Sequence, residues 1–235
     1  MILFFAVWPF ALLSHSRTRR VALLIASYLF YMWFSIPLVA LLVFSSVLDF
    51  FVGKAIYFTE DKARRRGWLL VSLAGNLGVL FIFKYLNFFA GSLNSLCHLV
   101  TGNAPFPHFD ILLPIGISFY TFQTLSYTID IYRRKMEPTH SLLTFALYVG
   151  FFPQLVAGPI VRAAHLVPQL ARGPEFIPGQ LRRGLGWIVL GLLKKVVVAD
   201  NLAPYANAVF ELPNAYGGWD VLFGTYAFAF QIYCD

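Results

Sequence analysis

Residues 151–162, FFPQLVAGPIVR, hold the group of side chains in this chain best suited to a chemical task. Arg162 offers a planar, two-pronged donor that matches phosphate oxygens, and Gln154 an uncharged amide that both donates and accepts. Around them Phe151, Phe152, Leu155, Val156, Ile160 and Val161 are greasy enough for lipid, yet Pro153, Gly158 and Pro159 interrupt the run. Each proline removes a helical N–H and crowds the preceding turn. Irregular backbone at membrane depth survives only where protein buries it or where it lines a wet cavity. The stretch therefore reads as part of a polar passage, with Gln154, Gly158, Pro159 and Arg162 as candidate substrate-binding residues. Gln123, on the apolar run 111–131, joins them as a second uncharged hydrogen-bonding group. The structural alternative for both glutamines is helix–helix hydrogen bonding, worth well under about 2 kcal/mol each.

Lys194 and Lys195 are the next candidates, because they lie within the short apolar run 184–200. A lysine at the centre of a span costs roughly 2.5–3.5 kcal/mol on insertion scales, so the pair should face a cavity or a carboxylate. Asp200, Asp130 and Asp235 are possible partners, and an internal ion pair competes with attraction of an anionic ligand. Lys84, six residues from the end of the run 68–90, is close enough to snorkel outward. The five histidines, His15, His98, His108, His140 and His165, fall outside the apolar runs, in presumed loops without an acidic residue at a useful spacing. No nucleophile elbow, zinc motif or phosphate-cradling glycine loop is present, and Cys97 and Cys234 have neither metal-ligand nor disulfide spacing. No complete catalytic constellation and no metal site is visible.

The elements that must position these groups are membrane helices. Charged residues make up 12% of the 235 residues, about half the roughly 25% of soluble domains, and 59% are hydrophobic. A soluble domain of this size lacks the interior to hide so much apolar surface. Candidate crossings are 1–13, 21–34, 38–53, 68–90, 111–131, 184–200 and 219–235, with Pro37 and nearby Ser35 dividing the overlong run 21–53. Of the 18 Lys and Arg, 15 fall in 14–20, 54–67, 132–140 and 162–183, and none in 35–37, 91–110 or 201–218. That asymmetry places the first set in the cytoplasm and accounts for the net charge of +7 without a nucleic-acid partner. Because 132–140 and 162–183 are both basic, the run 141–161 should start and finish on one side. The expected fold is all-α: a single transmembrane domain over 1–235, about seven crossings plus one re-entrant segment bent at Pro153 and Gly158–Pro159, with amphipathic pieces in 162–183.

FPQLVAGPIVR at 152–162, LLPIGISFYTFQTLSYTIDIYR at 112–133, LLIASYLFYMW at 23–33, KYLNFF at 84–89 and LLKKVVVAD at 192–200 together resemble the alginate O-acetyltransferase branch of the membrane-bound O-acyltransferase family. The resemblance implies an enzyme of the bacterial inner membrane. It would relay an acyl group, expected to be acetyl, from a cytoplasmic donor to an extracellular polysaccharide such as alginate. It also implies acetyl-CoA or an acyl carrier as co-substrate, no covalent cofactor, and a periplasmic acetyltransferase as partner besides the lipid bilayer. In that setting Arg162 would meet the donor's phosphate. The family's catalytic histidine lies beyond FQIYCD at 230–235, so the chain reads as an amino-terminal portion, truncated before the catalytic region and inactive alone. A polytopic transporter or a non-catalytic membrane scaffold is the alternative class.

Overall fold

The computed structural model describes residues 16–34, 36–103, 105–114, 116–155, 160–172, 178–212 and 215–235, whose regular structure is helical throughout. The expected crossing at 1–13 lies outside the described residues. Among the described residues two helices are long and apolar enough to cross a membrane, Ile36–Phe58 and Lys62–Thr101. The chain divides into two compact units, Met1–Pro174 and Glu175–Asp235.

In the first unit, α1 (Ser16–Met32) and α2 (Ile36–Phe58) replace the overlong run 21–53, and the division falls where Pro37 was expected to put it. A proline at the second helical position costs nothing, since that N–H has no intrahelical partner. Next comes α3 (Lys62–Leu80), started by Asp61, whose side chain accepts from the Arg64 amide at 2.8 Å. A π-helical turn (Phe81–Tyr85) carries it directly into α4 (Leu86–Thr101). The unit continues with α5 (Ile117–Tyr132), α6 (Leu142–Gly150), the single turn α7 (Phe152–Leu155) and α8 (Ala163–Arg172). Several presumed loops are thus helical. Arg17, Arg19 and Arg20 lie on α1, Arg64, Arg65 and Arg66 on α3, His98 on α4 and His165 on α8. Charge repels a residue from lipid but does not stop a helix, so it marks the ends of apolar runs rather than the ends of helices.

The core joins α2, α5 and α6 through Leu42, Ile56, Tyr127, Ile131, Phe145 and Leu147, with the Tyr127 and Phe145 ring centroids 4.4 Å apart. Basic residues staple one end. Arg20 Nη1 donates to Thr144 Oγ1 at 2.7 Å, and the buried Arg19 Nη2 donates to Leu170 O at 3.3 Å. Arg134, held left-handed at φ 58° just past α5, donates to Tyr57 O at the end of α2 at 2.7 Å. Arg65 lies over the Tyr132 ring, 5.0 Å from its centroid. Cations at Leu170 O and Tyr57 O satisfy terminal carbonyls and complement the negative ends of α8 and α2.

The second unit contains α9 (Gln180–Leu193), a second π-helical turn (Lys194–Ala199), α10 (Asp200–Glu211) and α11 (Gly218–Cys234). A Cβ on Gly224 would stand 2.8 Å from Val209 Cγ1, so glycine lets α11 approach α10 closely. Asn201 Nδ2 donates to Val196 O and Val197 O at 3.1 and 2.9 Å, tying the start of α10 to the wide turn.

Candidate functional site

The broken segment is built from α6 outward. Ser141 caps α6, accepting from the Thr144 amide at 3.3 Å, and Thr144–Gly150 are all buried. Nine helical residues span only about 13 Å, less than half of a hydrocarbon core near 30 Å. At Phe151 the backbone turns extended (ψ 106°), two residues before the first proline. Pro153 has no N–H to offer Val149 O, so the helix cannot run on. The Phe152 amide, which continuation would aim at Tyr148 O, donates instead to the buried Ser27 Oγ at 3.3 Å.

That leaves Tyr148 O without its helical donor, and the two glutamines supply replacements. Gln123 Nε2 donates to it at 2.8 Å and Gln154 Nε2 at 3.1 Å. The Tyr148 hydroxyl lies 3.2 Å from Val161 O and 3.4 Å from Gln123 O, linking α6 to the chain that returns towards α8. Gln123 is fully buried, and its Oε1 has no partner among the described residues. The two candidate glutamines therefore meet at one atom.

The remaining candidates divide. Gly158 and Pro159 lie outside the described residues. Arg162 is exposed, and its guanidinium has no partner among the described residues, while its carbonyl accepts from the His165 and Leu166 amides at the start of α8. Eight residues of helix, about 12 Å, separate it from Leu170 at the stapled end. Lys194 and Lys195 belong to the second unit. Lys195 Nζ pairs with Asp200 Oδ1 at 2.8 Å and Asp235 Oδ1 at 2.6 Å, and Lys194 Nζ lies over the Tyr233 ring at 5.0 Å. An internal ion pair, the structural reading, describes Lys195; Asp130 lies in the other unit. Lys84, in the first π-helical turn, donates to Ser118 Oγ at 3.1 Å. A cavity of about 930 Å³, lined by Val39, Val43, Val47, Phe51, Trp68 and other apolar side chains, contains none of the candidate residues.

Two features lie outside the candidate site residues. Gly116, left-handed at φ 73°, packs so tightly on the broken segment that an added Cβ would lie 2.5 Å from Leu155 O. The second is a polar centre around the fully buried Asp49 of α2. Its Oδ1 accepts from Ser72 Oγ at 2.6 Å and its Oδ2 from Asn76 Nδ2 at 2.8 Å, both on α3. Thr128 Oγ1 of α5 lies 3.1 Å from Ser72 Oγ, and Thr124 Oγ1 donates to Asn76 Oδ1 at 3.4 Å. An aspartate inside an apolar run was the available signal, and the i, i+4 spacing of Ser72 with Asn76 and Thr124 with Thr128 was another.

Along 95% of its length the chain is 39% identical to a Pseudomonas aeruginosa protein named "Probable alginate O-acetylase AlgI" and 38% identical to an Azotobacter vinelandii protein of the same name. It is 31% identical to a Helicobacter pylori peptidoglycan O-acetyltransferase over 91% of the chain. The chain spans 42%, 44% and 44% of these three relatives. No family model and no solved structure matches it.

Proposed function

We propose, from the chain's membership of the membrane-bound O-acyltransferase family, that it forms part of a membrane-embedded O-acetyltransferase acting on an extracellular polysaccharide such as alginate. The donor, acetyl-CoA or an acyl carrier, arrives from the cytoplasm, and a periplasmic acetyltransferase completes the relay. The protein is a multi-pass component of the bacterial inner membrane.

The observation that carries this reading is the tethering of the broken segment at both ends. Thr144, near the start of α6, bonds Arg20, and Leu170, near the end of α8, bonds the adjacent Arg19. Chain that leaves and returns to neighbouring residues of α1 supports a hairpin entered from the basic, cytoplasmic side. The glutamine-capped carbonyl and the unused Gln123 Oε1 offer acceptors within the hairpin, and Arg162, which follows the broken segment, offers a cation at its cytoplasmic mouth to a donor moving inward. The test uses a full-length protein lacking Cys97 and Cys234, with His140→Cys and Arg172→Cys made singly; both positions are exposed. Both should react with an impermeant thiol reagent from the cytoplasmic face. Reaction from opposite faces would sink the hairpin. In the same background Arg162→Ala should raise the donor's apparent KM about tenfold, the loss of one charged hydrogen bond. Unchanged donor kinetics would remove Arg162 from the passage.

One observation favours the transporter alternative. Two Gly/Pro-interrupted segments, 113–116 and 151–162, meet where Gly116 seats on Leu155 O, and paired interrupted segments are a device that transporters also use. Labelled acetyl groups appearing in polysaccharide only when the intact protein is present would decide for the transferase.

A further inference from the structure

The segment between α4 and α5 is held in an unusual way. Asn94 makes a two-point amide pair with Phe106: Nδ2 donates to Phe106 O at 2.7 Å, and the Phe106 amide donates to Oδ1 at 2.9 Å. Asn87 repeats the pattern with Phe109 at 2.7 and 3.0 Å. Each side-chain amide thus stands in for a neighbouring strand. The spacing closes geometrically: seven residues of α-helix rise about 10.5 Å, and three residues of extended chain cover about 10 Å. Pro107, between the paired residues, brings no N–H that would need a partner. Along the same helix, at Lys84, a third tie runs to Ser118 in the first turn of α5. Positions 94, 87 and 84 therefore fasten residues 106, 109 and 118 in antiparallel order.

From this we infer that residues 105–114 form a strap whose seating on α4 sets how Gly116 bears on the Leu155 carbonyl, so that the outer connection and the broken segment move as one body. This coupling rests on geometry alone and stands whether or not the chain carries an acyl group. Asparagine is required for it. Aspartate would turn the donating amide into an oxygen facing Phe106 O or Phe109 O, and alanine would release two backbone polar groups at each site from the helix. Gly116 transmits the displacement because backbone meets backbone there, with no side chain to absorb it.

Hydrogen exchange by mass spectrometry on the purified protein tests the proposal, with thermal unfolding to confirm folding. In Asn94→Ala, exchange should accelerate about tenfold at Phe106, the effect of losing one hydrogen-bonded pair. It should also accelerate measurably in peptides covering 116–123 and 152–155. Acceleration confined to 103–110 would overturn the coupling, because the strap could then move without the broken segment. A second protein guards against a variant that does not fold. In a background lacking Cys97 and Cys234, Asn94→Cys with Phe106→Cys is compared oxidised and reduced. The oxidised form should protect 152–155 and the reduced form should lose that protection. Equal exchange at 152–155 in the two forms would overturn the inference.

Discussion

At the scale of single residues, the buried polar atoms around Asp49 are satisfied as a group, and the cost of a change depends on what it strands. Asp49→Ala leaves Ser72 and Asn76 without their acceptor inside the α2–α3–α5 packing, so it should destabilise by about 2–3 kcal/mol. Asp49→Asn keeps one acceptor for Ser72 and should cost less than half as much; thermal unfolding of the two variants in one detergent checks the order. The left-handed glycines provide a sharper contrast. Gly102 and Gly116 both have φ 73°, but nothing lies within 4 Å of a Cβ at Gly102. Gly102→Asn should be nearly neutral, since asparagine tolerates that backbone. Gly116→Asn should destabilise by more than 2 kcal/mol, because Leu155 O occupies the required space. Equal effects would mean that conformation, not the close approach, makes Gly116 necessary.

At the scale of elements, Lys62–Thr101 is 40 residues of continuous helix, about 60 Å at 1.5 Å per residue and twice the hydrocarbon thickness. In the proposed orientation, with Lys62, Arg64, Arg65 and Arg66 on the cytoplasmic side, α4 would emerge on the far side. Cys97, partly exposed on α4, should therefore react with an impermeant maleimide from outside intact cells in a Cys234→Ser background. Reaction only after permeabilisation would reverse the proposed orientation. Much of this layer was legible beforehand. The overlong apolar run and Pro37 located α1 and α2, and the prolines announced an interruption near 151. The position of the break at Phe151 was not legible, because it depends on Ser27, a residue of α1 that takes the Phe152 amide. The meeting of Gln123 with Gln154 at Tyr148 O was hidden for the same reason: both residues were chosen as polar groups in apolar runs, and their shared target is a tertiary contact. The two π-helical turns left no periodic signal either, although both contain the lysines that stood out as costly in lipid.

At the scale of the whole molecule, the first unit owes its stapled end to the same residues that sequence reading used to orient the chain. Arg19, Arg20 and Arg134 hold α8, α6 and α2 through carbonyls and a hydroxyl. Arg134→Gln should lower the stability of the unit by about 1–2 kcal/mol, since it removes a charged donor from Tyr57 O and a cation from the Tyr57 ring. Limited proteolysis around Thr59 would report the loosening. Removing these charges to redirect insertion would then also unfasten the bundle, so topology and stability cannot be tuned independently here. A nascent chain in which one of these helices alone was threaded the wrong way round would find its clasps on opposite shores of the bilayer. It could never close them, and biogenesis would carry its own proofreading step.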